Sequence, residues 1–146
     1  DNVSEEKLKE FITICRLDSV LAKLSNGLQT DLAEKGQNLS VGEKQRVAMA
    51  RGLLRAQEKD ILLLDEPTSS LDPKNEKEVF INLLSYFSHC TIITACHRLN
   101  LVPLFDKIIF VLNGKVEEVG SFAELIGKQG LFYRAWDDYQ KKVAKE

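Results

Sequence analysis

The chain has 146 residues, 44% hydrophobic and 29% charged, with 20 Lys and Arg against 22 Asp and Glu. That length suffices for one domain with a modest core, and with both signs interspersed no basic face argues for nucleic acid. No apolar run approaches the roughly 20 residues that cross a bilayer, and no secretory leader is visible.

Ser4 predicts the cap of a first helix, with Glu5 and Glu6 as the negative first turn that a helix N-terminus favours. Leu8, Phe11, Ile12 and Cys15 recur at helical spacing and form one apolar stripe. Asp18 or Ser19 is expected to open a second short helix with Val20, Leu21 and Leu24 inward, ended by Ser25-Asn26-Gly27. Residues 27–36 read as loop. Ser40-Val41-Gly42-Glu43 has capping-box spacing, Ser40 capping and Glu43 reaching back. The helix that follows should turn Val47, Ala50, Leu53 and Leu54 inward and end near Gln57. The same stretch has a second reading. A helix N-terminus with a hydroxyl and a glycine is an anion site.

Residues 60–65 form a short apolar run bounded by charges. It reads as a strand buried on both faces, central in a parallel sheet. Pro67 forbids further ladder pairing. Asp65 and Glu66 therefore stand beyond the carboxyl end of a strand, where open α/β sheets bind their ligands. Asp72, with Pro73 in the first helical position, opens another helix, and Val79, Leu83, Leu84 and Phe87 are its buried stripe. Thr91 to Ala95 reads as a second buried strand, followed by His97; His89 reads as surface. Leu101 to Phe105 is expected to form a short helix. Lys107 to Leu112 and Lys115 to Val119 are strands joined by Asn113-Gly114, a hairpin turn. Ser121 and Glu124 repeat the capping box. A last helix carries Phe132, Ala135, Trp136, Tyr139 and Val143 on one side, aromatic packing anchors, and ends in a polar tail from Lys141. Cys15, Cys90 and Cys96 are odd in number and lack metal-ligand spacing, so they read as reduced, buried thiols of a cytosolic protein. The first residue is Asp1 and the one methionine is Met49, which reads as a piece of a longer protein.

Three stretches, in this order and spacing, resemble one family. Leu39-Ser40-Val41-Gly42-Glu43-Lys44-Gln45-Arg46, residues 60–72 and residues 91–99 resemble the signature motif, the Walker B segment with its D-loop, and the switch-histidine loop of ABC-type ATPases. The resemblance covers nearly the whole chain. Val41 departs from it, standing where the signature usually has a first glycine. The lead-in over residues 27–46, and the hairpin over 111–116 followed by Gly120, resemble exporter-type members.

The resemblance implies an α/β fold: a partial P-loop-NTPase (RecA-like) parallel sheet with an N-terminal α-helical subdomain. Residues 1–57 would be the signature subdomain, 58–130 the C-terminal part of the RecA-like core and 131–146 a C-terminal helix. It implies ATP and Mg²⁺ as cofactors. Asp65 would hold the metal, Glu66 would orient the attacking water, and His97 would reach the γ-phosphate. Ser40, Gly42, Glu43 and Gln45, with Ser70 and Asp72 of the D-loop, would serve nucleotide binding across a dimer. The partners implied are a second ABC ATPase domain and transmembrane domains, at the cytoplasmic face of a membrane, with no nucleic acid.

No G-x-x-x-x-G-K-[ST] occurs in the sequence, so no phosphate-cradling P-loop is encoded in it. The chain alone is expected to bind ATP weakly and not to turn it over. The strand at 60–65 is expected to expose an unpaired edge, leading to self-association, strand exchange or a rearranged sheet. Two other functions compete: a non-transport ATPase of the same superfamily, and a non-catalytic module that regulates a complete partner.

Overall fold

A computed structural model describes residues 3–32 and 36–144. The part of the expected loop at 33–35 and the last residues of the expected tail lie outside the described residues. The chain divides into two compact units, Asp1–Cys96 and His97–Glu146.

The first unit opens with α1 (Glu5–Ile14), whose cap Ser4 accepts from the Lys7 N–H at 3.3 Å. Of the apolar stripe, Phe11, Ile12 and Cys15 are buried and Leu8 is half-buried, while Ile14, off the stripe, is buried as well. Arg16 then adopts φ +52°, and its carbonyl accepts from Arg46 Nη1 at 2.5 Å, which ties the end of α1 to α3. The second helix, α2 (Asp18–Leu21), has Leu17 rather than Asp18 or Ser19 at its cap, with no side-chain bond. One turn of helix there is held by the burial of Val20 and Leu17, not by a polar cap. Residues Gly27–Gln29, expected as loop, form a 3-10 turn.

The third helix, α3 (Val41–Arg55), carries both halves of its capping box and buries Met49, Ala50 and Leu53. β1 (Ile61–Asp65) pairs in parallel with β2 (Thr91–Ala95), from Ile61 opposite Thr91 to Asp65 opposite Ala95. The crossover between them is α4 (Pro73–Tyr86), capped by Asp72 with Pro73 in its first turn. This is the βαβ logic expected of a parallel pair.

The strands are not buried on both faces. Leu62 is 5% exposed while its neighbour Leu63 is 78% exposed, and β2 likewise alternates between half-buried and exposed positions. Among the described residues, α4 and its neighbours cover one face only. Leu62 joins Val79, Leu83 and Phe87 there, and Ile61, Leu63 and Ile93 lie on the uncovered face. A continuous apolar run satisfies one-sided burial as readily as two-sided burial, so periodicity could not separate the two. Phe11 closes this core edge-on against Tyr86, with ring centroids 5.0 Å apart, and lies 6.2 Å from Phe87. His89 is exposed, its ring 6.0 Å from that of Phe87.

The second unit begins with a 3-10 segment (Leu99–Leu104) and an antiparallel hairpin of β3 (Ile108–Leu112) and β4 (Lys115–Gly120). Asn113 and Gly114 both take positive φ, 49° and 75°, which the tight turn demands. α5 (Phe122–Lys128) has its own complete capping box, Ser121 with Glu124. Gln129, at φ +52°, ends it. α6 (Leu131–Val143) is capped from a distance: the Glu118 carboxylate accepts from the N–H groups of Leu131 at 2.7 Å and Phe132 at 3.3 Å. Phe132 is buried edge-on to Phe110 and Phe122, and Trp136 packs on Phe122. Lys141 and Lys142, read as the start of a tail, lie within the last turn of α6, and Lys141 pairs with Asp137 one turn earlier.

Candidate functional site

The start of α3 and the loop after β1 meet in the first unit, and most of the candidate residues lie on these two segments. At α3, Ser40 Oγ accepts from the Glu43 N–H at 3.3 Å, and Glu43 Oε2 accepts from the Ser40 N–H at 2.8 Å. Lys23 Nζ donates to the other carboxylate oxygen at 3.2 Å. The hydrogen bonds from the Ser40 backbone and hydroxyl, then the ammonium of Lys23, bring the Glu43 carboxyl from an ordinary 4.5 down to about 2. The box occupies the Glu43 N–H, and Lys44 begins the helical ladder on the Ser40 carbonyl. Helix geometry leaves the N–H groups of Val41 and Gly42 at the open end, the donors an anion would use. Val41 is 71% exposed, so its side chain makes no core there.

The loop after β1 turns sharply. Glu66 has φ +43°, a left-handed conformation that costs a non-glycine residue about 1–2 kcal/mol. Such strain persists where the surroundings over-determine it, and here both sides of the residue are held. The Glu66 N–H donates to the Ala95 carbonyl at 3.1 Å, and the Glu66 carbonyl accepts from Ser69 N–H at 3.2 Å and from Gln45 Nε2 at 3.0 Å. Gln45 also donates to Ser69 Oγ at 3.2 Å and accepts from the Ser70 N–H at 3.0 Å. One turn earlier, Gly42 lies against the same loop: a Cβ on it would stand 3.0 Å from the Ser70 carbonyl oxygen and 3.5 Å from Leu71 Cδ2. That close approach is why glycine is needed at this position.

Thr68 and Glu76 anchor the loop from the other side. Both are buried, at 2% and 3% exposure, and Thr68 Oγ1 donates to Glu76 Oε1 at 2.9 Å. The sequence carries no signal for this pair, because a glutamate in the first turn of a helix reads as solvated surface. Asp72 caps α4 through Asn75, its Oδ1 accepting from the Asn75 N–H at 3.1 Å and its Oδ2 from the side-chain amide, which lowers its pKa. Asp65 is exposed at the carboxyl end of β1. It borders a groove of about 420 Å³ between α3 and β1, whose walls are apolar apart from Asp65 and Gln45. His97 is exposed and is the first residue of the second unit.

The structure thus brings Ser40, Gly42, Glu43, Gln45, Asp65, Glu66 and Ser70 onto two adjoining segments, with Asp72 at the start of the next helix. Gln45, expected among the nucleotide contacts, has both ends of its amide engaged within the chain.

The donor set fits a Mg²⁺–phosphate ligand. Among the described residues no three His, Cys, Asp or Glu gather into a metal cage. A single strand-end carboxylate suits Mg²⁺, which keeps waters and takes phosphate oxygens as its other ligands.

Residues 2–69 match the ABC transporter family. The chain is 37% identical over 133 residues to the human protein named ATP-binding cassette sub-family C member 2, covering 91% of this chain and 8% of that one. It is 37% identical over the same length to the mitochondrial iron-sulfur clusters transporter ATM1 of Yarrowia lipolytica, covering 91% and 18%. The solved structure of a bacterial Atm1-family ABC exporter with ATP bound superposes with a TM-score of 0.80 at 33% identity, over 94% of this chain and 24% of that one. The chain therefore spans a quarter or less of the proteins it matches here. With its parallel βαβ unit, its helical N-terminal part and this likeness along nearly its whole length, the chain belongs to the ABC transporter family, as an exporter-like ATP-binding domain.

Proposed function

We propose that this chain supplies part of the ATP-hydrolysing engine of a membrane exporter. Asp65 would hold Mg²⁺. Mg²⁺, when bound, neutralises charge on the phosphates. Glu66 orients the attacking water and takes its proton as the water oxygen bonds to the γ-phosphorus and the bond from that phosphorus to the β–γ bridging oxygen breaks, leaving ADP and inorganic phosphate. Ser40 and Gly42, at the N-terminus of α3, close on the γ-phosphate of a nucleotide held by a second domain of the same kind. Ser70 and Asp72 belong to the loop that crosses between the two domains, and His97 reports the γ-phosphate. In this scheme residues 1–57 form the signature subdomain, 58–130 a part of the catalytic core and 131–146 a closing helix. The chain meets its second ATPase domain and the transmembrane domains at the cytoplasmic face of the membrane. A P-loop must come from outside this sequence, so the chain alone is inactive.

The observation that carries this reading is Glu66. It stands next to Asp65 at a strand end, in a left-handed conformation fixed through both its N–H and its carbonyl. A proton-handling carboxylate needs that kind of orientation, and a solvated turn residue does not. The test is Glu66→Gln in the full native protein. ATP turnover should fall at least 100-fold, on the order of what a general base contributes, with Mg-ATP binding retained. Turnover at the native rate would refute the reading.

A further inference from the structure

We infer that Gln45 is a positioning residue: it couples the phosphate-facing end of α3 to the peptide that aims Glu66. The inference rests on the ATPase reading above and assigns within it a role that no nucleotide contact accounts for. The end of α3 that carries Ser40 and Gly42 faces the nucleotide of the partner domain. Glu66 acts on the nucleotide at its own strand end. Gln45 lies on the first of these segments and bonds the second.

Its chemistry suits the task. A primary amide both donates and accepts, and Gln45 uses both functions on one loop. Nε2 reaches the Glu66 carbonyl at 3.0 Å and Ser69 Oγ at 3.2 Å, while Oε1 receives the Ser70 N–H at 3.0 Å. A carboxylate could not donate to the Glu66 carbonyl, and an ammonium or guanidinium could not accept from Ser70. Gly42 makes a second contact between the same segments, close enough that a Cβ would stand 3.0 Å from the Ser70 carbonyl oxygen. With two joints one helical turn apart, α3 cannot shift toward or away from a phosphate without moving the 66–70 backbone. The Glu66 peptide, held by Ala95 on one side and Gln45 on the other, transmits that shift to its carboxylate. Arrival of the partner's γ-phosphate at α3 thereby sets the aim of Glu66.

The test uses two variants and two readouts. Gln45→Leu removes all three bonds. Gln45→Glu keeps the acceptor for Ser70 and removes the donor to Glu66. Hydrogen exchange on the 146-residue chain should show the Ser70 amide exchanging at least tenfold faster in Gln45→Leu and near the native rate in Gln45→Glu. The Leu71 amide, which donates to Thr68, should stay protected in both. In the full native protein both variants should lose at least tenfold in kcat while the KM for Mg-ATP stays within about twofold. A raised KM with native kcat would make Gln45 a nucleotide contact and overturn the inference. So would native kcat in Gln45→Glu, since the Glu66 bond is the one required. Glu66→Gln assayed alongside separates the two levels. If it turns over ATP, the ATPase reading fails. If it is silent while Gln45→Glu is native, the coupling alone fails.

Discussion

Glu43 shows how one side chain can serve folding while sitting where function is expected. Its carboxylate closes the capping box of α3 and meets Lys23, and the cost of protonating it holds its pKa at about 2. A carboxyl depressed from 4.5 in the folded state contributes stability that is present above 4.5 and lost as pH falls from there through 2. The urea midpoint of the native chain should therefore drop across that window. Glu43→Gln, whose amide oxygen still accepts from the Ser40 N–H, should lose that part of the slope; equal slopes would show the box to be indifferent to charge. Cys15 illustrates the opposite sign. Burial pushes its thiol up to about 12 against the opposing pull of Arg46, so it behaves as a small core hydrophobe. Cys90 and Cys96, read as buried, are only half-buried, Cys90 Sγ donating to the Lys59 carbonyl at 2.7 Å.

At the scale of elements, the caps and the buried stripes of the helices were legible, and the one-sided burial of the strands was not. Ser4, Ser40, Asp72 and Ser121 cap the helices they were expected to cap, because the capping bond is local and needs only three residues of spacing. The cap of α6 was invisible, since Glu118 comes from the preceding strand, 13 residues before Leu131. β1 gives the sharpest contrast. Leu62 faces the packed side and Leu63 the uncovered side. In the 146-residue chain, Leu62→Ala should cost about 2–5 kcal/mol in chemical denaturation, whereas Leu63→Lys should change stability by no more than about 0.5 kcal/mol. Equal costs would restore the two-sided burial that the apolar run suggested.

At the scale of the whole molecule, what matters is which parts of the proposed ATP site the sequence encodes. It carries the capped helix, the strand-end carboxylates and the histidine loop, and no G-x-x-x-x-G-K-[ST]. In P-loop ATPases a loop of backbone N–H groups and a lysine cradle the nucleotide's phosphates. Two copies of this sequence would still lack one. Calorimetric titration of the 146-residue chain with Mg-ATP should therefore detect no binding in the micromolar range, and a micromolar Kd would sink that part of the proposal. The first unit holds together through contacts distant in sequence, such as Phe11 with Tyr86 and Phe87. The second has an aromatic core of its own in Phe110, Phe122, Phe132 and Trp136.

The amino-acid order alone determined the local and the chemical: helix starts, the Asn113-Gly114 turn, the parallel pair around a crossover helix, and the adjacent Asp65 and Glu66 at a strand end. Each follows from spacing within a few residues or from a continuous apolar run, and spacing survives without coordinates. Tertiary structure decided which face of β1 is covered, that Thr68 and Glu76 are buried as a pair, and that Gln45 is bonded to Glu66 and Ser70. These depend on which segments the fold brings side by side, and a residue's polarity does not say whether its partner is water, a ligand or a loop 21 residues further along the chain.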